Sequence, residues 1–349
     1  MDVAADAAES FAASCAPAIS PDETVYSWCA RFNRLNDVTN VQATSHLLFG
    51  HRTAGLRNDF PFHLAYFHTI TRGALGTLSD LLMRRTLYGF RAPFLPSHAR
   101  DDIRRYLLYG GPSGELRCAL GLSRAGLVLA NRLKLCADCV REQRSQHGFA
   151  WWMASHQPPS TFSCRIHHQW LRFCAESRPP SSINMYWLPE VFDSVSVANG
   201  LQERLARCSQ LSNLDRWGSY VSQQQNLQLA GEMLRQTYRL QTKARKWVSG
   251  DGHVRLELLR DAFLSYYGDV LRLFPDKLLE DLAGVNGGFL ATLLTKNSPR
   301  HHPMKHLLLL SFLFETPDDF FSVHTKVTAV HADGGDTAVR ALLRSNAVI

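Results

Sequence analysis

Between His46 and about Gly111, apolar residues recur at spacings of three and four. Gly73, Gly76, Pro93, Pro96 and the Gly110-Gly111 pair interrupt them, so the pattern predicts a run of helices. Ahead of it, Asp22-Glu23-Thr24 reads as a helix start, with Val25, Trp28, Ala30 and Phe32 on the mostly apolar segment that follows. Further helices are expected from Arg117 to Leu133, and strand signal is weak except at Leu133–Leu135 and Thr161–Phe162. Pro179-Pro180-Ser181-Ser182 reads as a linker, after which the helical pattern returns. There Leu227, Ala230, Leu234 and Tyr238 fall on one helix face. Arg235, Arg239, Lys243 and Lys246 fall on another, with nothing acidic between them. Leu256, Leu259 and Phe263 then precede Gly268, and Leu278, Leu279 and Leu282 precede Gly284. Phe289, Leu290, Leu293 and Leu294 lead into a second basic cluster of Lys296, Arg300, His301, His302, Lys305 and His306. Short helices with glycine turns that run into basic residues are the pattern of a helix-turn-helix, and equally that of an ordinary helical bundle.

One segment changes this picture from a helical chain to a metal-organised one. Cys136-Ala137-Asp138-Cys139 is followed, after 24 residues, by Cys164-Arg165-Ile166-His167. Each pair has the two-residue gap that lets both side chains of a tight turn reach one ion, which is the arrangement tetrahedral zinc requires. Four protein ligands leave no open coordination position, so one zinc here would hold structure and would not activate water. His168 directly follows His167 and competes for the fourth place, as do His147, His156 and Cys174. His167 is preferred because its gap equals that of the first pair. The fold expected is mainly α, with helical and helix-turn-helix modules around a small zinc ribbon-like module. Residues 1–20 are read as a disordered lead-in, 21–115 as an N-terminal helical region, 116–177 as the zinc-binding module and 178–349 as a C-terminal helical DNA-binding region.

Composition narrows the function. The 38 basic residues outnumber the 31 acidic ones, a surplus compatible with polyanion binding. Eight cysteines in 349 residues are too scattered for a disulfide scaffold, and thiolate ligands need a reducing compartment. The first 20 residues have no basic start and carry Asp2, Asp6 and Glu9, which makes a poor signal peptide. The run Leu307 to Phe314 is too short to span a bilayer, so no membrane role is expected. No Gly-x-x-x-x-Gly-Lys-Ser/Thr, His-Glu-x-x-His or Gly-x-Ser-x-Gly occurs, and the His-x-Glu of a zinc deaminase is missing. A non-enzyme is expected.

Four stretches in order make the chain resemble the TniQ/TnsD family of transposon target-selection proteins, nearest its TnsD branch. They are Asp22-Glu23-Thr24-Val25-Tyr26-Ser27-Trp28 with Arg31, Arg85-Thr86-Leu87-Tyr88 with Pro93-Phe94-Leu95, the zinc segment with Trp152, His156-Gln157-Pro158, Leu171 and Cys174, and His302-Pro303-Met304-Lys305-His306-Leu307-Leu308-Leu309. Ala137 stands where the family usually has proline, His168 where it usually has glycine, and Cys174 has no near partner for a second site. The resemblance implies a non-catalytic selector that binds double-stranded DNA, or a guide-RNA effector complex, and recruits a TnsC-like AAA+ ATPase that activates the transposase. It implies a bacterial, cytoplasmic, nucleoid-associated protein. On this reading Lys296, Arg300 and Lys305 bind DNA first, with Arg235, Arg239 and Lys243 second. Ser27, Trp28 and Arg31 face the ATPase on this reading, Trp28 being a large aromatic near the expected start of order; the alternative is that Trp28 caps the first helical core, since most tryptophans are largely buried. The alternative is a zinc-containing helix-turn-helix transcription regulator.

Overall fold

A computed structural model of the chain describes residues 11, 14–111, 133–174, 185–191, 194–195, 205, 208–224, 226–274, 276–284, 288–295 and 301–344. The first helix, α1 (Val25–Leu35), starts where the sequence places it, because the Thr24 side chain caps it by accepting from the Ser27 amide. Val25, Trp28, Cys29 and Phe32 follow helical spacing onto one face, and every residue from Val25 to Phe32 is buried. Five more helices complete this half: α2 (Val41–Phe49), α3 (Leu64–Ile70), α4 (Leu78–Arg84), the single turn α5 (Tyr88–Arg91) and α6 (Ser97–Tyr109). Asn40 caps α2 and the Thr77–Asp80 capping box starts α4. Their core stacks Trp28 on Phe32 and packs it edge-on against Phe67, which in turn stacks on Phe49 at 4.7 Å.

Residues 14–20, read as part of a disordered lead-in, are tied to α1 by hydrogen bonds. The Trp28 indole donates to Pro17 O (2.8 Å) and Arg31 to Ala18 O (2.6 Å). The helices expected over 117–132, the linker at 179–182 and residues 1–10 lie outside the described residues.

Among its described residues the middle carries the α-helix α7 (Ala137–His147) and a small antiparallel sheet. In it β1 (Lys134–Leu135) pairs with β2 (Arg172–Cys174), and β2 with β3 (Ser194–Val195). β1 falls in the expected Leu133–Leu135. Thr161–Phe162 forms no strand; the neighbouring Ser163 bridges Trp170 instead and closes a tight hairpin.

The C-terminal half is again helical: α8 (Ser209–Gln223), α9 (Glu232–Ala244), α10 (Leu256–Tyr267), α11 (Asp276–Ala283), α12 (Gly288–Thr295), α13 (Pro303–Leu313) and α14 (Pro317–Arg344), the last broken by a kink at Gly335. α13 is the axis, buried along its whole length apart from Lys305, which explains its apolar run around Ser311 without a membrane. No helix among the described residues is long and apolar enough to cross one.

This packing corrects the helix-turn-helix reading. α11 and α12 fall where the apolar residues place them, but α12 buries Phe289, Leu290, Ala291, Leu293 and Leu294. A recognition helix needs an open face for a DNA groove. α12 is a core helix.

The two helical halves share contacts far apart in sequence. Phe90 and Phe94 belong to the C-terminal core, Phe94 stacks on His306 at 4.9 Å, and Arg91 Nη2 lies 2.8 Å from His302 Nε2. The stretches 85–95 and 302–309 therefore meet. Burial holds His302 and His306 well below the ordinary histidine range, with Arg91 adding to the effect on His302 and His301 to that on His306. Both rings stay neutral when folded but take up protons when unfolded below about pH 6.5. Stability should hold above that pH and fall beneath it by roughly 1.4 kcal/mol per pH unit for each ring. Urea midpoints at pH 7.5 and 5.5 test this; equal midpoints would contradict it.

α8 also crosses the turn after Pro158 very closely. A Cβ on Gly218 would sit 1.7 Å from Ser160 Oγ and 2.7 Å from Ser160 Cβ. Gly218→Ala should cost about 1–3 kcal/mol by overpacking, and Ser160→Gly in the same chain should restore part of it. Denaturant midpoints of the single and double variants read the effect.

Candidate metal centre

Cys136 caps the N-terminus of α7 and Cys139 occupies its first turn, with the Val140 amide bonded to Cys136 O (3.0 Å). A helix N-terminus carries positive partial charge, which favours thiolates there. Cys164 and His167 sit in the loop of the 163–170 hairpin. It is closed by His168 N to Cys164 O and Cys164 N to Gln169 O, each 2.8 Å. The first pair thus rides on a helix and the second on a turn, which differs from the two matched strand knuckles expected of a ribbon.

The four side chains meet. Cys139 Sγ lies 3.5 Å from Cys164 Sγ, and His167 Nδ1 lies 3.6, 3.3 and 3.7 Å from the sulfurs of Cys136, Cys139 and Cys164. All four ligand atoms fall within 4.8 Å of one another. Tetrahedral zinc with ordinary bond lengths sets S···N at about 3.6 Å and S···S at about 3.8 Å. The donor set and spacing therefore fit one such ion, and four ligands would close its coordination shell. The three cysteines are buried. Hydrogen bonds from Cys136 and Cys164 push the Cys139 thiol up, and bonds from Cys136 and Cys139 hold Cys164 down. Without a cation, one sulfur keeps a proton for its neighbours.

The other candidates for the fourth place separate by position. His168 is exposed, with φ 54° in the left-handed region where glycine is usual. His147 is exposed, and His156 is buried outside the cluster, its pKa lowered by burial to about 4. Cys174 ends β2.

Glu142 was not singled out from the sequence. Its Oε1 accepts from His167 Nε2 at 2.8 Å, which orients the ring with Nδ1 aimed at the sulfurs, the nitrogen that would give up its proton to ligate a metal. This bond is also the largest of the effects that raise the His167 pKa to about 9. The available signal was an acid three residues after Cys139 on one helix face. Buried Lys134 is a second omission. Its ammonium donates to Thr161 O (2.7 Å) and Pro158 O, while Gln157 bonds both backbone groups of Lys134 (3.1 and 3.0 Å). Together they fix the stretch leading into the second knuckle, and burial lowers the Lys134 pKa to about 7.

Ser27, Trp28 and Arg31 do not form an outward docking face. Ser27 Oγ accepts from the Trp152 amide (3.0 Å), Thr24 N donates to Trp152 O (3.0 Å), and Trp151 Nε1 donates to Pro21 O (3.0 Å). Trp28 is fully buried, and Arg31 holds the buried Glu23 through two bonds of 2.8 and 2.6 Å. The N-terminal signature is the joint between α1 and the metal module.

The expected DNA-binding residues are dispersed. Lys296 and Arg300 lie outside the described residues. Lys305 is mostly buried, bonded to Asp281 (3.0 Å) over the Phe289 ring. Arg235 pairs with Glu232 and donates to Thr295 O (3.3 Å), while Arg239 donates to Leu294 O (3.4 Å) and Gly252 O (3.0 Å). The two arginines satisfy carbonyls at the C-terminus of α12, so much of the basic stripe is turned inward. Lys243 is half-buried on the same helix.

Two family models match the chain: TniQ over residues 14–171 and Tn7-like transposition protein D over residues 219–336. The first takes in the N-terminal helices and all four metal-centre residues. The chain is also 26% identical over 150 residues to the transposon Tn7 transposition protein TnsD of Escherichia coli. That match covers 42% of this chain and 29% of the relative, so it takes in less than a third of the relative's length.

Proposed function

The chain belongs to the TniQ/TnsD family, and from that premise we propose that it selects the insertion site of a Tn7-like DNA transposon without catalysing strand transfer. It would bind double-stranded target DNA and recruit a TnsC-like AAA+ ATPase. The observation that carries this reading is the succession, in one chain, of a TniQ match over 14–171 and a Tn7-like transposition protein D match over 219–336. The Cys136/Cys139/Cys164/His167 centre holds one zinc ion in this proposal, and its part is structural. Recruitment falls to the exposed surface of the N-terminal helices, which Ser27, Trp28 and Arg31 support from inside.

DNA binding is assigned to the C-terminal half, with the run around Lys296 and Arg300 as its first contact. Each phosphate contact releases a counterion, so the log–log salt slope should fall by about 0.9 for each one lost. Lys296→Ala with Arg300→Ala should weaken duplex binding and flatten that slope, read by anisotropy at several salt concentrations. Unchanged affinity and slope would remove these two residues from the interface. Binding only to a guide-RNA complex, or no co-purification with a neighbouring ATPase, would count against the proposed role; the latter is what a transcription regulator would give.

A further inference from the structure

Between α9 and α10 the chain makes a short hairpin, Trp247–Arg255. Val248 bridges Val254, Ser249 N donates to His253 O (2.8 Å) and Arg255 N to Trp247 O (2.8 Å). The hairpin is fixed from beneath. Trp247 stacks on Phe312 at 5.2 Å, and Arg239 holds Gly252 O (3.0 Å). Lys246, His253 and Arg255 around it are exposed. Arg245 is anchored to Leu313 O (2.8 Å) beside the Trp247 ring and is still exposed. The acids nearby in sequence are Asp251 at the tip and Glu257 at the start of α10.

Two features have no explanation within the fold. α9 ends in a Schellman turn, with Lys246 N bonded to Lys243 O (2.8 Å) and Trp247 N to Thr242 O (3.1 Å). Its left-handed position, φ 63°, is occupied by Lys246, where glycine is the favoured residue. Cations near a helix C-terminus suit the helix dipole, which accounts for Lys243 but not for a strained backbone at residue 246 or for cations across the hairpin. Gly250 is the second feature. Its φ is ordinary, and an added Cβ would meet nothing within 4 Å, so neither conformation nor packing requires glycine. Close approach of another molecule to the backbone would.

We propose that the Trp247–Arg255 hairpin is a wing that lies against the phosphate backbone of duplex DNA, with Lys246 and Arg255 as phosphate contacts and Gly250 giving clearance at the tip. The inference rests on the DNA-binding reading above and adds to it a surface and residues not included there. Arg239 acts in it as a positioning residue, since its guanidinium reaches the hairpin backbone.

Duplex binding by the full chain, followed by anisotropy across a salt series, tests the wing. Lys246→Ala with Arg255→Ala should weaken binding about tenfold or more and lower the log–log salt slope by about two, at an unchanged melting temperature. Gly250→Leu should weaken binding without altering the melting temperature. Lys246→Gly guards against a folding defect: it should melt no lower than the parent, because the strain is relieved, and still bind less tightly. If the parent binds duplex DNA and these variants match its affinity and slope, the wing is wrong and the DNA-binding reading stands. If the parent binds no duplex even at low salt, both fall. If the variants lose affinity for an RNA stem while keeping it for duplex DNA, the wing serves RNA and the proposal as stated fails.

Discussion

Replacing Trp28 and Arg31 together by alanine is expected to remove most of the stability of the N-terminal half. Trp28 is fully buried against Phe32 and Phe67, and truncating a buried tryptophan typically costs about 3–5 kcal/mol. Arg31 holds Glu23, itself fully buried, through Oε1 and Oε2. Removing one partner of a buried pair leaves an uncompensated charge, at a cost of about 3–5 kcal/mol. Either loss is a large fraction of the roughly 5–15 kcal/mol that holds a protein folded. The pH dependence identifies the pair as the cause. Burial raises the Glu23 pKa, and Arg31 is first among the groups that oppose the rise. A carboxyl raised in the folded state stabilises below its unfolded pKa and loses that contribution as pH climbs through its folded pKa. Without Arg31 the folded pKa climbs further, so the Arg31→Ala defect should be larger at pH 8 than at pH 5. Urea midpoints at the two pH values measure it. A double variant within about 1 kcal/mol of the parent would return Trp28 to the surface.

The contrast between that joint and its first reading shows what a sequence carries. Thr24 as a cap and the helical spacing of Val25, Trp28 and Phe32 are local, and α1 starts where they say. That Trp28 faces inward depends on Phe67, and Ser27 on Trp152, 125 residues away. The cysteine pairs were legible because coordination geometry is set by short gaps; Glu142 was less so because nothing marks one helical acid as a histidine's partner. α12 was misjudged for a tertiary reason. Its glycine turn and apolar spacing are visible, but that five of its eight residues are buried follows only once α9, α10 and α13 pack around it. The sequence offers Arg235 and Arg239 to DNA, and their inward turn is invisible there, because long side chains can reach carbonyls of another helix and no spacing rule names the acceptor.

Loss of the metal should be as damaging as loss of the buried pair, and should spread from one module to the other. Zinc bound by four such ligands contributes about 10–16 kcal/mol in isolated finger peptides, comparable to the stability of a whole domain. Removing it leaves the His167 imidazole 3.3–3.7 Å from three sulfurs, with Cys139 driven to hold a proton. Once the knuckles part, Trp152 is no longer held where it meets Ser27 and Thr24, so α1 loses its contact with the module. Elemental analysis of the purified chain should give about one zinc per molecule, since one set of four ligands holds one ion. Cys136→Ser, Cys164→Ser and His167→Ala should lose the ion and much of the folded population, and a chelator should lower the melting temperature of the parent. His168→Ala should keep the metal, because His168 occupies an exposed turn position. Acid should mimic chelation, because protons compete with the metal for thiolate and imidazole. A metal-free chain that melts where the parent does would show that packing alone holds the module, and the four ligands would then be an ordinary buried cluster.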